Sequence, residues 1–181
     1  MAQAGYDAKD SSKADEAMLP SAARLAGRVE ARLAELGLKV PEAAAPAANY
    51  VPFTRSGKLL FISGQIPKNP DNSLLKGTLG ASCTVEQGQA AARLCGLHLV
   101  GQMKAACGGD LDKVKKVLKV EGFVSCAPDF EQHPQVVNGC SDLLVDIFGK
   151  EVGSHSRFAV GCSSLPLGVA VEVGGIVELE E

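Results

Sequence analysis

Two stretches with helical apolar spacing stand among several short valine- and leucine-rich runs, and this interleaving constrains the fold more than any other feature of the chain. In 84–107, Val85, Ala92, Leu99, Met103 and Ala106 recur on one helical face. Thr84 supplies a hydroxyl N-cap, Gln87 is its capping-box partner, and Gly108-Gly109 ends the helix. In 134–148, Val136, Val137, Cys140, Leu143, Leu144, Ile147 and Phe148 form a second face, closed by Gly149. Around these helices 49–54, 58–63, 117–124, 157–161 and 169–179 read as strands, and the first two form a hairpin through Arg55-Ser56-Gly57-Lys58. The segment 67–72 is a loop by composition, and 112–116 is a short helical turn. The order β-β-(β)-α-β-α-β-β has hairpins at both ends. It predicts an α+β fold, a mixed sheet with helices packed on one face.

The N-terminal quarter has a different character. Residues 1–20 are polar, carry Asp7, Asp10, Asp15 and Glu16 but no arginine, and read as a flexible tail dispensable for folding. An amphipathic helix is expected over 22–36, capped by Ser21, striped by Ala22, Ala26, Val29, Leu33 and Leu36, and stopped at Gly37. Its apolar face needs a partner surface. The Ala/Pro-rich run 41–48 reads as an extended connector. The expected organisation is therefore a tail (1–20), a helix with connector (21–48) and one compact domain (49–181), in keeping with a chain of 181 residues.

Bulk properties and motif content weigh against several function classes. A net charge of -3 and an aromatic content of 4% without tryptophan argue against a basic, stacking nucleic-acid groove. The six cysteines contain no C-x-x-C pair and read as reduced, mostly buried thiols in a cytoplasmic protein. No apolar run is long enough to span a bilayer, so no membrane partner is expected. The phosphate-loop, dinucleotide-fold, H-E-x-x-H and G-x-S-x-G motifs are all absent. His98 reads as a structural or surface residue, His133 as solvated, and His155 as non-catalytic.

Polar residues interrupt apolar surroundings in three places. Phe61-Ile62-Ser63-Gly64-Gln65-Ile66-Pro67 ends a strand in a Ser-Gly pair, either a simple strand exit or a point of close backbone approach. In Gly153-Ser154-His155-Ser156-Arg157-Phe158-Ala159-Val160, a charge opens an apolar strand, either as a surface ion-pair residue or as a ligand anchor. Glu172 lies inside Val169-Ala170-Val171-Glu172-Val173, where alternation alone would place it on the outer face.

These segments, together with Asn49-Tyr50 and Leu165-Pro166, resemble the successive signatures of the Rid (YjgF, or endoribonuclease L-PSP) family over about residues 49–179. The resemblance implies a chorismate-mutase-like fold, a homotrimer and clefts between neighbouring subunits. It also implies hydrolysis of reactive 2-imino or enamino acids to 2-keto acids and ammonia. Carried over to this chain, Arg157 grips the substrate carboxylate and Glu172 positions or activates water. Tyr50, Ser63, Gly64 and Asn138 line the cleft. No metal and no organic cofactor are implied; the partners are a small carboxylate substrate and further copies of the chain. The chain departs from the family pattern in four respects. His155-Ser156 precedes the arginine, Ala159 replaces a cysteine, Gly174 replaces a second acid, and residues are added around Glu131–Gln135. The alternatives to an imine deaminase are a non-catalytic trimer that binds a carboxylate metabolite or other proteins, and, disfavoured by charge and composition, a ribonuclease.

Overall fold

The computed structural model describes residues 27–43 and 49–180. The expected tail, the Ser21 cap, the stripe positions Ala22 and Ala26 and most of the Ala/Pro connector lie outside the described residues. The elements are α1 (Arg28–Glu35), β1 (Phe53–Ser56), β2 (Leu59–Gln65), α2 (Val85–Ala106), β3 (Val114–Ser125), α3 (His133–Gly153), β4 (Ser156–Cys162) and β5 (Val171–Leu179). The strands form one sheet in the order β1-β2-β5-β3-β4, with β3 and β4 parallel and the other neighbours antiparallel. This is the α+β arrangement expected: the parallel pair is joined through α3, and the antiparallel pairs sit around it.

Local chemistry sets the element ends. β1 turns into β2 through Gly57, at φ +57°, with Ser56 paired to Leu59. β1 begins at Phe53 rather than 49, because Pro52 has no N–H to give a ladder; its carbonyl instead accepts from Ser63 N at 3.0 Å. α2 carries the full capping box between Thr84 and Gln87. α3 is broken at Gly149, whose φ is +79°. β5 starts at Val171, two residues late, because a short 3₁₀ turn at Pro166–Gly168 holds Leu167 at φ +57°.

α2 and α3 cover one face of the sheet, as the sequence predicted. Leu60 and Ile62 from β2, Val117, Val120 and Val124 from β3, and Val171, Val173 and Val177 from β5 are buried with Leu99, Val136, Leu143 and Ile147. Each such side chain contributes on the order of 1.5–3 kcal/mol by leaving water. The helices lie close together at Gly139, where a Cβ would meet Gln89 O of α2 at 2.1 Å. Among the described residues no helix lies over the other sheet face. Phe61, Phe123, Phe158 and Val160 are exposed there, with Lys119 Nζ 4.5 Å above the Phe158 ring.

α1 starts at Arg28, later than expected, because its cap comes from elsewhere in the chain. The Asp112 carboxylate accepts from Arg28 N at 2.7 Å and Val29 N at 2.9 Å. Val29 and Leu33 are buried in the same core as the sheet. Gly37, at φ +63°, ends the helix, with Leu38 N donating to Leu33 O. All six cysteines are free thiols; Cys95, Cys107 and Cys140 are buried. Burial pushes the Cys140 thiol up to about 12. Among the described residues no helix is long and apolar enough to cross a membrane.

Candidate functional site

Two groups of polar residues face different sides of the sheet. The first lies at a bulge. β2 pairs Ile62 with Gly175 and then Gln65 with Val173, so Ser63 and Gly64 together oppose one residue of β5. The Gln65 amide steadies the bulge by donating to Ser63 O at 2.9 Å. The Ser63 hydroxyl donates to Val51 O at 2.7 Å, which ties the segment carrying Tyr50 to the bulge. Tyr50 itself is 48% exposed.

Glu172 sits directly over Gly64. A Cβ at position 64 would lie 2.0 Å from Glu172 Oε1, so only glycine leaves room for this carboxylate. Glu172 is opposite Phe123, and Phe123 is opposite Val160; all three belong to the face without helices. Burial pushes the Glu172 carboxyl above the ordinary range, and among the described residues no charged partner offsets the shift. A half-buried carboxylate of this kind takes up a proton more readily than a solvated one.

The second group is built around Arg157 on the edge strand β4. Arg157 is opposite Val120, a core residue, so its side chain runs along the helix side of the sheet to α3. There Nη1 donates to Asn138 Oδ1 at 2.9 Å and to Ser141 Oγ at 3.0 Å, and Nη2 donates to Pro134 O at 3.2 Å. Positions 134, 138 and 141 form one stripe of α3. The guanidinium has five N–H groups, so these three bonds leave Nε–H and one Nη2–H for a ligand. Among the described residues no carboxylate lies within ion-pair distance of Arg157. The result is a positive charge held by neutral oxygens with two donors to spare.

Sequence reasoning found Tyr50, Ser63, Gly64, Glu172, Asn138 and Arg157. Within one chain the structure brings Gly64 to Glu172, the Tyr50 segment to Ser63, and Asn138 to Arg157. It does not bring Arg157 to Glu172, which lie on opposite faces. Reasoning from sequence missed Ser141 and the Pro134 carbonyl, although helical spacing from Asn138 would have found both. It also set aside His155, whose Nε2 meets Ser141 Oγ at 2.9 Å. Of the other histidines, His98 is buried and donates from Nε2 to Lys68 O. His133 is half-buried rather than solvated, edge-on to Phe130 and 3.3 Å from Cys126 Sγ.

A profile of the YjgF/chorismate mutase-like endoribonuclease family matches residues 30–179 of this chain. The chain belongs to that family. Its match begins inside α1, in keeping with the burial of Val29 and Leu33 in the common core. Among relatives, Protein TCP17 of Trypanosoma cruzi is 55% identical over 153 residues, which cover 84% of this chain and 95% of that one. The crystal structure of protein Atu1372 from Agrobacterium tumefaciens, a protein of unknown function, superposes with a TM-score of 0.78 at 43% identity and covers 84% of this chain and 92% of that one. The YjgF-like fold extends to more distant proteins. Escherichia coli TdcF, crystallised with bound serine, matches with a TM-score of 0.55 at 20% identity, over 76% of this chain and 93% of its own.

Proposed function

We propose that this YjgF-family chain assembles as a homotrimer and hydrolyses reactive 2-imino and enamino acids to 2-keto acids and ammonia, in clefts between neighbouring subunits. The observation that carries the reading is Arg157, a cation with neutral partners and two free N–H groups. Such a fork matches a carboxylate bidentately, which a lysine ammonium does not. The serine bound by TdcF, itself an amino acid with a carboxylate, is in line with this choice of ligand.

Placing Arg157 and Glu172 on opposite faces favours a shared cleft. Arg157 lies on the edge strand β4, and Glu172 lies on the open face of the central strand β5, beside the β2 bulge. A head-to-tail ring that sets the β4 edge of each subunit against the open sheet face of its neighbour joins the two groups. The exposed Phe61, Phe123, Phe158 and Val160 supply apolar surface for that contact.

In this cleft Arg157 holds the carboxylate while Glu172 takes a proton from water as its oxygen attacks the imine carbon. Glu172 passes that proton to the imine nitrogen, giving a carbinolamine; the hydroxyl proton then moves to nitrogen through the same carboxylate, C=O forms as the C–N bond breaks, and ammonia leaves. Imines react with water unaided, so orientation and one activated water suffice. Gly64 leaves room for the Glu172 carboxylate, Ser63 ties the Tyr50 segment to the bulge, and Tyr50 and Asn138 line the cleft.

The test uses imino acids generated in situ by an amino-acid oxidase, with ammonia release as the readout and light scattering for assembly. Arg157→Lys and Arg157→Ala are expected to lose most activity while still melting cooperatively. The missing charge-assisted pair costs on the order of 2–5 kcal/mol of binding. Wild-type kinetics in both variants, or a wild-type chain that stays monomeric at micromolar concentration, would overturn the reading. Carboxylate binding without ammonia release would instead favour a non-catalytic binding module.

A further inference from the structure

We propose that His155 is a positioning residue for Arg157, acting through the Ser141 hydroxyl, and that its neutral imidazole sets the affinity of the site for carboxylates. The inference rests on the reading of Arg157 as the carboxylate anchor.

Hydrogen-bond chemistry fixes every proton in the chain. His155 Nδ1 lies 2.6 Å from Gly153 O. A carbonyl only accepts, so Nδ1 carries the hydrogen and Nε2 presents a lone pair. Ser141 Oγ, 2.9 Å from that lone pair, must therefore donate its hydrogen to Nε2. This leaves the oxygen's own lone pairs to accept from Arg157 Nη1 at 3.0 Å. The sequence of donors runs one way, from Arg157 to Ser141 to His155, and separately from His155 to Gly153. Each group has one consistent role.

Protonation reverses the middle of this chain. With hydrogens on both nitrogens, His155 donates to Ser141 Oγ, which now receives N–H groups from two cations. The serine hydrogen loses its acceptor and turns away. The charged groups that bear on His155 are Arg157, two residues on in β4, and Lys116 on β3, and both oppose a second positive charge. The contacts from α3 are Ser141 and the Gly153 carbonyl. Burial, the largest effect, and these two cations hold the imidazole below its ordinary range, so it is neutral at pH 7–8.

The experiment measures pyruvate binding by calorimetry across pH 5.5–8, together with KM and kcat for imine hydrolysis. The proteins are wild type, Ser141→Ala, His155→Ala and His155→Gln. A glutamine amide oxygen can take the place of Nε2 as acceptor and does not titrate. At pH 8, His155→Ala and Ser141→Ala are expected to weaken pyruvate binding about five- to tenfold, one hydrogen bond's worth, with KM rising more than kcat falls. His155→Gln is expected to restore most of that affinity. As pH falls below about 6.5, wild-type affinity declines relative to His155→Gln. Any effect of Glu172 titration is common to both and cancels in the comparison.

Equal pH dependence in wild type and His155→Gln, or unweakened binding in both alanine variants, would overturn the proposal alone if Arg157→Ala still abolishes binding. Retained pyruvate binding in Arg157→Ala would remove the anchor reading itself.

Discussion

At the scale of single residues, the two charged groups of the candidate site stand in opposite relations to stability. Arg157 is held by three oxygens of α3, whereas Glu172 is half-buried and burial raises its pKa. A carboxyl whose folded pKa exceeds its unfolded value favours the fold through its protonated form. That contribution is complete below about pH 4.3 and is lost as pH rises through the raised value. Glu172→Gln is therefore expected to melt at a higher temperature than wild type at pH 7, with the gap closing toward pH 4, while imine turnover falls. A lower melting temperature at pH 7 would mean that the carboxylate is held by a stabilising partner. Both charged residues were legible in the sequence, since each interrupts an apolar run. The outward facing of Glu172 was legible too, from alternation along its strand; that Arg157 faces the other way was not, because it depends on its pairing with Val120.

At the scale of elements, legibility followed the distance over which an end is determined. α2 was readable to within a residue because Thr84, Gln87 and Gly108 are its own neighbours. The start of α1 was not, because its cap, Asp112, is 84 residues from Arg28. Asp112→Ala removes the acceptor for two backbone N–H groups at a helix N-terminus, a loss of about 1–2 kcal/mol. The expected result is a melting temperature lower by several degrees, at about 2–4 °C per kcal/mol for a chain of this size, with faster amide exchange at Val29. Asp112→Asn keeps one side-chain oxygen and should lose less. An unchanged melting temperature would show that α1 adds little to the fold, despite the burial of Val29 and Leu33.

At the scale of the whole molecule, the sheet face that the described residues leave uncovered is the feature a single chain does not explain. An α+β layer buries one side of its sheet under helices, and alternation along β3 and β4 should make the other side polar. Here it carries Phe123 and Phe158, exposed at 43% and 58%, with the Lys119–Glu121 ion pair beside them. Exposed aromatic side chains in such a cluster mark a surface for association. The sequence could not announce this, because an apolar residue on a strand reads the same whether it faces its own core or a neighbour.

Separating Arg157 from Glu172 across the sheet has a genetic consequence. If each cleft draws its arginine from one subunit and its glutamate from the next, neither residue needs an intact partner in its own chain. Two alleles, Arg157→Ala and Glu172→Gln, each inactive alone, then complement one another. In the proposed trimer, refolded from an equal mixture, roughly a quarter of the clefts would pair an intact arginine with an intact glutamate around the ring. Co-expression should regain activity near that share of wild type, where a site confined to one chain would regain none.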